Sequence, residues 1–247
     1  MVAVLVALII ASVLPTSANA GAIEVNCTSV SFVVGTPVPP GDNHISLVGD
    51  GWCTVYPGDT VNGNIAVSEK ARLSVRGTVN GNVHADTEHE FPRGAIESPF
   101  NPGNSIRILS TGTINGNVSQ SGSGNVHLGG TLNGNVELTG TGVLNVGVLN
   151  TVVNGNVSFS GFGCLLVFSF DEWTTTINGN VESDSGGLVF REPFTNTIAF
   201  PECVALALQP PFPLGGPITI DGNVCGLIID PEGMGGIIVE GHVKQSC

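Results

Sequence analysis

The sequence predicts an all-β protein, a three-sided parallel β-helix (β-solenoid), and three observations lead to this prediction. A short phrase centred on Asn-Gly-Asn recurs along the chain, as expected of a repeat architecture. Glycine, at 35 residues, and the many β-branched residues disfavour helix. Apolar and polar residues alternate beside each copy, which is the pattern of a half-buried strand.

The repeated phrase has the form Thr-apolar-Asn-Gly-Asn-apolar. Its central glycines follow one another at steps of 18, 35, 18, 21, 24, 43 and 19 residues, the last to a degenerate eighth copy, Val239 to Val243. The short steps match one turn of a three-sided parallel β-helix, and each of the two long steps indicates one or two turns that carry an insertion. The predicted structural corners are Asn62-Gly63-Asn64, Asn80-Gly81-Asn82, Asn115-Gly116-Asn117, Asn133-Gly134-Asn135, Asn154-Gly155-Asn156, Asn178-Gly179-Asn180 and Asp221-Gly222-Asn223.

The chemistry of the phrase suits a corner between strands. In the fourth copy, alternation places Leu132, Gly134 and Val136 inward and the two asparagines outward. We expect glycine there because it has no Cβ to crowd the axis and because it tolerates positive φ. Stacked turns lie about 4.8 Å apart, so the asparagines are expected to form hydrogen-bonded ladders.

An antiparallel sandwich or barrel is the alternative fold, because Asn-Gly also favours a two-residue hairpin turn. A hairpin needs strands of matched length on both sides. The strands upstream of these phrases are short, and the phrase is nearly constant. Both features favour stacked corners.

The chain divides into a leader, a cap and the repeats. Residues 2–14 are apolar and uncharged, and Ser17-Ala18-Asn19-Ala20 offers a cleavage site, which predicts a signal peptide over 1–20 and a secreted protein; a retained signal anchor is the alternative. After cleavage we expect no contact with a membrane. We predict an N-terminal cap over 21–57 and the solenoid over 58–247, with proline-rich insertions at about 86–105 and 187–217.

An even number of cysteines in an exported chain suggests disulfides. Six cysteines allow 15 pairings, and the local pair Cys27 with Cys53 is favoured because both precede the repeats. The disulfide candidates are Cys27, Cys53, Cys164, Cys203, Cys225 and Cys247. Glycosylation sequons begin at Asn26, Asn117 and Asn156.

Charge and acid placement exclude some functions. A net charge of −13 disfavours nucleic acid as a partner. The aspartates do not recur in register with the turns, so no acid–base pair is expected on one face, and we predict no enzyme, no catalytic residue and no cofactor. His84 to Glu90 gathers two histidines and three acids, but their spacing matches no defined ligand pattern, so we expect a solvated loop and no metal site.

Two ligand classes remain as alternatives. Six threonines precede the corners and would form one outward file, which is a feature of ice-binding solenoids: Thr60, Thr78, Thr113, Thr131, Thr176 and Thr219. Trp52, Tyr56 and Trp173 are the stacking candidates for a carbohydrate-binding module.

The repeated apolar-Asn-Gly-Asn-Val phrase resembles the winding repeat of bactofilins, over roughly residues 60–181 and 219–243. The resemblance implies a right-handed β-helix that polymerises end to end, and it implies no catalytic residues. Our leading expectation is a non-enzymatic structural or assembly-forming component of an extracellular layer, such as a wall, matrix or virion coat. Its main partner would be a second copy of itself, with a polysaccharide as the alternative partner.

Overall fold

The computed structural model describes residues 23–27, 32–33, 44–86, 104–108, 111–147, 149–167, 169, 173–183, 187–190, 217–226 and 237–244. Every regular element among them is a β-strand. In chain order these are β1 (Ile23–Cys27), β2 (Phe32–Val33), β3 (Ile45–Gly49), β4 (Trp52–Val55), β5 (Thr60–Asn62), β6 (Ile65–Val67), β7 (Arg72–Val75), β8 (Thr78–Asn80), β9 (Val83–Asp86), β10 (Asn104–Ile108), β11 (Thr113–Ile114), β12 (Val118–Leu128), β13 (Thr131–Leu132), β14 (Val136–Val146), β15 (Thr151–Val153), β16 (Val157–Val167), β17 (Thr175–Ile177), β18 (Val181–Ser183), β19 (Gly187–Phe190), β20 (Ile218–Ile220), β21 (Val224–Cys225), β22 (Ile237–Val239) and β23 (Val243–Lys244).

The strands stack in three columns, and every described strand pair is parallel. The first column is β1, β3, β6, β9, β12, β14, β16, β18, β21 and β23. The second is β2, β4, β7, β10, the C-terminal parts of β12, β14 and β16, and then β19. The third is β5, β8, β11, β13, β15, β17, β20 and β22. The three-sided parallel β-solenoid is therefore confirmed, and the antiparallel alternative is wrong.

Each corner phrase joins the third column to the first. The two long steps between glycines are still single turns, because Thr78 pairs directly with Thr113 and Thr176 pairs directly with Thr219. Insertions between those turns therefore leave the register of the stack unchanged.

Three middle turns pass from the first column to the second without a break. β12, β14 and β16 each run for 11 residues and bend at Gly122, Gly140 and Gly161, which stack on one another. Their φ angles are 75°, 122° and 133°. Residues that carry a side chain rarely adopt such φ angles, so glycine is needed at this bend.

The interior is filled by columns of apolar side chains. One column is β-branched in every turn and runs through Ile23, Ile45, Ile65, Val83, Val118, Val136, Val157, Val181, Val224 and Val243. In another file of inward side chains on the same strands, the small Ala85 precedes Gln120 by one turn, and the large Phe159 precedes Ser183 by one turn. Alternating large and small residues keeps such a narrow core filled.

One predicted disulfide is confirmed. Cys27 and Cys53 are bonded, and both are fully buried, so they tie β1 to β4. Cys225 is also disulfide-bonded. Cys203, Cys247 and the side chain of Cys164 lie outside the described residues.

Strands of the stack occur ahead of residue 58, because β1, β3 and β4 already extend the first and second columns. The predicted insertion at about 86–105 falls between the end of β9 at Asp86 and the start of β10 at Asn104, and β19 occupies Gly187–Phe190 at the start of the second predicted insertion. The predicted signal peptide and residues 87–103 and 191–216 lie outside the described residues.

Candidate functional site: the corners and the two open ends

The corner glycines are required by the neighbouring turn. A Cβ built on Gly134 would overlap the backbone carbonyl of Gly116, one turn earlier. The same overlap recurs at Gly81, Gly116, Gly155, Gly179, Gly222 and Gly241, each with the preceding corner glycine. The expectation that glycine relieves crowding at the axis is therefore wrong, because the missing side chain would point along the stack. Positive φ is not the reason either: among the described corner glycines only Gly63, at 149°, lies between +20° and +160°.

The first asparagine of each corner forms a side-chain ladder. Each Nδ2 donates to the Oδ1 of the equivalent asparagine one turn earlier. The distances are 2.8 Å from Asn80 to Asn62, 2.8 Å from Asn115 to Asn80, 2.7 Å from Asn133 to Asn115, 2.6 Å from Asn154 to Asn133 and 2.6 Å from Asn178 to Asn154. All donors point the same way, so the ladder has a polarity. We call these six residues the amide ladder.

The second asparagine has a different role. Its Oδ1 accepts the backbone N–H of the equivalent residue one turn later, at 2.8 to 2.9 Å. This runs from Asn64 through Asn82, Asn117, Asn135, Asn156, Asn180 and Asn223 to His242. We call it the backbone ladder. The expectation of asparagine ladders is thus confirmed, but only the amide ladder joins side chain to side chain.

The two ladders end at different turns near the C-terminus. Asp221 follows Asn178 in the stack and cannot donate from its carboxylate, so the amide ladder ends at Asn178. Asn223 Oδ1 still accepts the His242 N–H, so the backbone ladder extends to the last described turn.

The sequons have unequal surroundings. Asn26 is exposed on β1. Asn117 and Asn156 are also exposed, but their Oδ1 atoms hold the N–H groups of Asn135 and Asn180. Glycosylation at these three positions stays a prediction.

The threonine file lies in register on the third column. Thr60, Thr78, Thr113 and Thr131 follow one another, Val152 interrupts them, and Thr176 and Thr219 continue the file. No described hydrogen bond uses any of these six hydroxyls. The file is therefore not a hydroxyl ladder, and it lies beside the amide ladder on the same face.

The stacking candidates for a sugar do not converge. Trp52 is half-buried, and the Arg72 guanidinium lies 5.8 Å from its ring centroid. Tyr56 follows the same strand. Trp173 belongs to a turn five steps further along the stack, which is about 24 Å away.

The acidic segment contributes two outward side chains on β9. His84 Nδ1 lies 2.7 Å from Ser119 Oγ, and Ser121 Oγ donates to Asp86 Oδ1 at 2.7 Å. Among the described contacts, none joins the His84 ring to a carboxylate that would orient it as a base. Glu88, His89 and Glu90 lie outside the described residues. In the described part of the chain, no three histidine, cysteine or acidic side chains come together as a metal site.

Several outward polar residues of the second column are buried: Thr54, Ser74, Asn125 and Asn145. Asn125 Oδ1 accepts the Val143 N–H at 2.9 Å, and Asn145 Nδ2 lies 2.8 Å from His127 Nδ1. Trp52, Arg72 and His127, which also point outward on this column, are half-buried.

The two ends of the stack match one another. The β-branched column is buried throughout its middle, but Ile23 is 42% exposed at one end and Val243 is 53% exposed at the other. The outward file beside it begins with Glu24 on β1 and ends with Lys244 on β23, and both are exposed. The composition pointed to neither residue, because their shared file becomes visible only once the register of every turn is known.

No protein-family model, no curated protein and no solved structure matches the chain. No helix among the described residues is long and apolar enough to cross a membrane.

Proposed function

We propose that this chain is a non-enzymatic structural subunit of an extracellular layer, and that copies join head to tail by continuing the solenoid. The matched ends carry the proposal. If β1 of one copy pairs with β23 of another in the register of the stack, Val243 lies beside Ile23, and Lys244 lies beside Glu24.

The apolar part supplies the affinity. Burying a side chain such as valine or isoleucine is worth about 1.5 to 3 kcal/mol, and one such residue stands exposed at each end. Among the described residues, these apolar end positions differ from the polar outer face that solenoids need in order to stay single.

The backbone continues in the same direction. On the first column, Val224 N donates to His242 O at 2.9 Å and Gly226 N donates to Lys244 O at 3.1 Å, one turn later. By the same pattern the Val243 N–H points forward to a further turn, which the β1 end of a second copy would provide. A head-to-tail contact of this kind does not close on itself and gives a filament.

The charged pair sets the register. The chain has 7 basic residues against 20 acidic ones, yet the file that begins with Glu24 ends with one of those 7. An exposed ion pair adds little affinity, but like charges at this contact would repel in every joint of the filament. The resemblance to polymer-forming β-helices and the confirmed Cys27–Cys53 disulfide agree with an assembling, exported protein.

Charge reversal tests the proposal in the purified full-length chain. We expect filaments in electron micrographs for the wild type. Lys244→Glu should raise the concentration needed for assembly roughly tenfold, because attraction becomes repulsion, and the double variant Glu24→Lys/Lys244→Glu should restore it. Glu137→Lys, in the same file at mid-stack, is the matched control and should assemble normally.

Two outcomes would remove the proposal: a wild-type chain that stays dispersed at every concentration, or equal behaviour of Lys244→Glu and Glu137→Lys. A dispersed chain retained by an insoluble glycan would favour the carbohydrate-binding alternative. A dispersed chain that shapes ice crystals would favour the ice-binding alternative and the threonine file.

A further inference from the structure

The amide ladder is built from the dipeptide that is chemically least durable in a folded protein. All six of its asparagines are exposed and precede glycine, whose backbone nitrogen has no neighbouring side chain to shield it. That nitrogen, once deprotonated, can attack Cγ of the preceding asparagine. The new C–N bond closes a succinimide ring, and the side-chain nitrogen leaves as ammonia.

Water then opens the ring. Attack at the former side-chain carbonyl gives aspartate, and attack at the main-chain carbonyl gives isoaspartate. The net change is one amide and one water converted to one carboxylate and one ammonium ion. No oxidant, enzyme or cofactor is needed.

The structure restrains the six sites unequally. Ring closure requires the side chain to rotate away from its ladder partners. At Asn80, Asn115, Asn133 and Asn154 the amide is held on both sides, as donor and as acceptor. Among the described contacts, the side chain of Asn62 is held only through its Oδ1 and that of Asn178 only through its Nδ2.

The polarity of the ladder makes the two ends differ in consequence. Aspartate at position 62 would still accept from Asn80 Nδ2, so the ladder would keep all its bonds. A carboxylate at position 178 cannot donate to Asn154. Asn154 would then be held on one side only, as Asn178 was before.

We propose that Asn178-Gly179 is a site of spontaneous deamidation from which the amide ladder is lost stepwise, turn by turn, toward the N-terminus. At the other end of the ladder, the Gly63 N–H that would have to attack already donates to Asn80 O at 3.1 Å, which restrains Asn62-Gly63. Asp221-Gly222 already carries the product residue one turn beyond Asn178. The ladder thus limits the chemical lifetime of the folded chain, whether or not copies polymerise.

The experiment follows every Asn-Gly peptide by mass spectrometry while the folded full chain ages in mildly alkaline buffer. Asn178 should deamidate about tenfold faster than Asn115 and Asn133, the factor that one hydrogen bond is worth. In urea all six should react at similar rates. Asn180, which precedes Val181, is the internal control and should stay intact.

Asp221→Asn provides the decisive variant. It provides a side-chain donor for Asn178 Oδ1 one turn later, so the deamidation rate at Asn178 should fall to that of the interior sites. The new asparagine at 221 should then become the fast-reacting end of the ladder. Asp221→Ala is the matched control and should leave Asn178 fast. The proposal is overturned if Asn133 reacts as fast as Asn178 in the folded wild type, or if Asp221→Asn leaves the Asn178 rate unchanged.

Discussion

At the scale of single residues, the two asparagines of a corner are not interchangeable. The first one donates a side-chain hydrogen bond backward, and the second one accepts a backbone N–H from the turn that follows. Asp221 in a first position has no side-chain N–H to donate to Asn178 Oδ1, so the amide ladder ends one turn earlier. The second position only has to accept, and its ladder continues through Asn223 to the His242 N–H.

The polarity of the amide ladder predicts different costs for the same substitution. Asn133→Asp loses the donor to Asn115 and should lower the free energy of unfolding by about 1 kcal/mol, the net worth of one hydrogen bond. Asn62→Asp adds the same charge but keeps its acceptor, so it should cost far less. Urea unfolding of both variants measures the difference, and equal costs would contradict a one-way ladder.

At the scale of elements, the corner is shaped by the distance between turns. The chain passes so close to the preceding turn that a methyl group at Gly134 has no space. This closeness lets the amides of successive turns meet at 2.6 to 2.8 Å. Glycine and asparagine therefore occur together because one permits the spacing that the other uses.

A pair of alanine substitutions tests this reason for the corner glycines. Gly134→Ala should lower the free energy of unfolding by roughly 3 kcal/mol, the upper range for an overpacked site, because the obstacle is backbone. Gly129→Ala meets its closest atom, Ile108 O, at 3.1 Å and should cost clearly less. Thermal unfolding of the two variants gives the comparison, and a harmless Gly134→Ala would mean that the turns lie further apart.

The sequence predicted the third and first columns well, because each corner phrase carries a strand on either side. It predicted the second column poorly. β7 and β10 pair directly, yet they share no phrase, and a long insertion separates them. Polar residues such as Asn125 and Asn145 indicate an exposed face, whereas both are buried.

At the scale of the whole molecule, each end of the stack presents an exposed β-branched residue beside an exposed charged one. The turn count between Glu24 and Lys244 depends on which long steps contain one turn and which contain two, and spacing alone left this open. The direct pairing of β8 with β11 and of β17 with β20 fixed it. With one turn at each long step, Glu24 and Lys244 belong to the same outward file, which therefore carries a charge of opposite sign at each end.

Head-to-tail continuation is best tested by diffraction from aligned filaments of the wild-type chain. If the solenoids join end to end, the strand spacing of about 4.8 Å must appear along the filament axis. A 4.8 Å reflection perpendicular to that axis would show solenoids lying side by side and would contradict the proposed joint between β23 and β1.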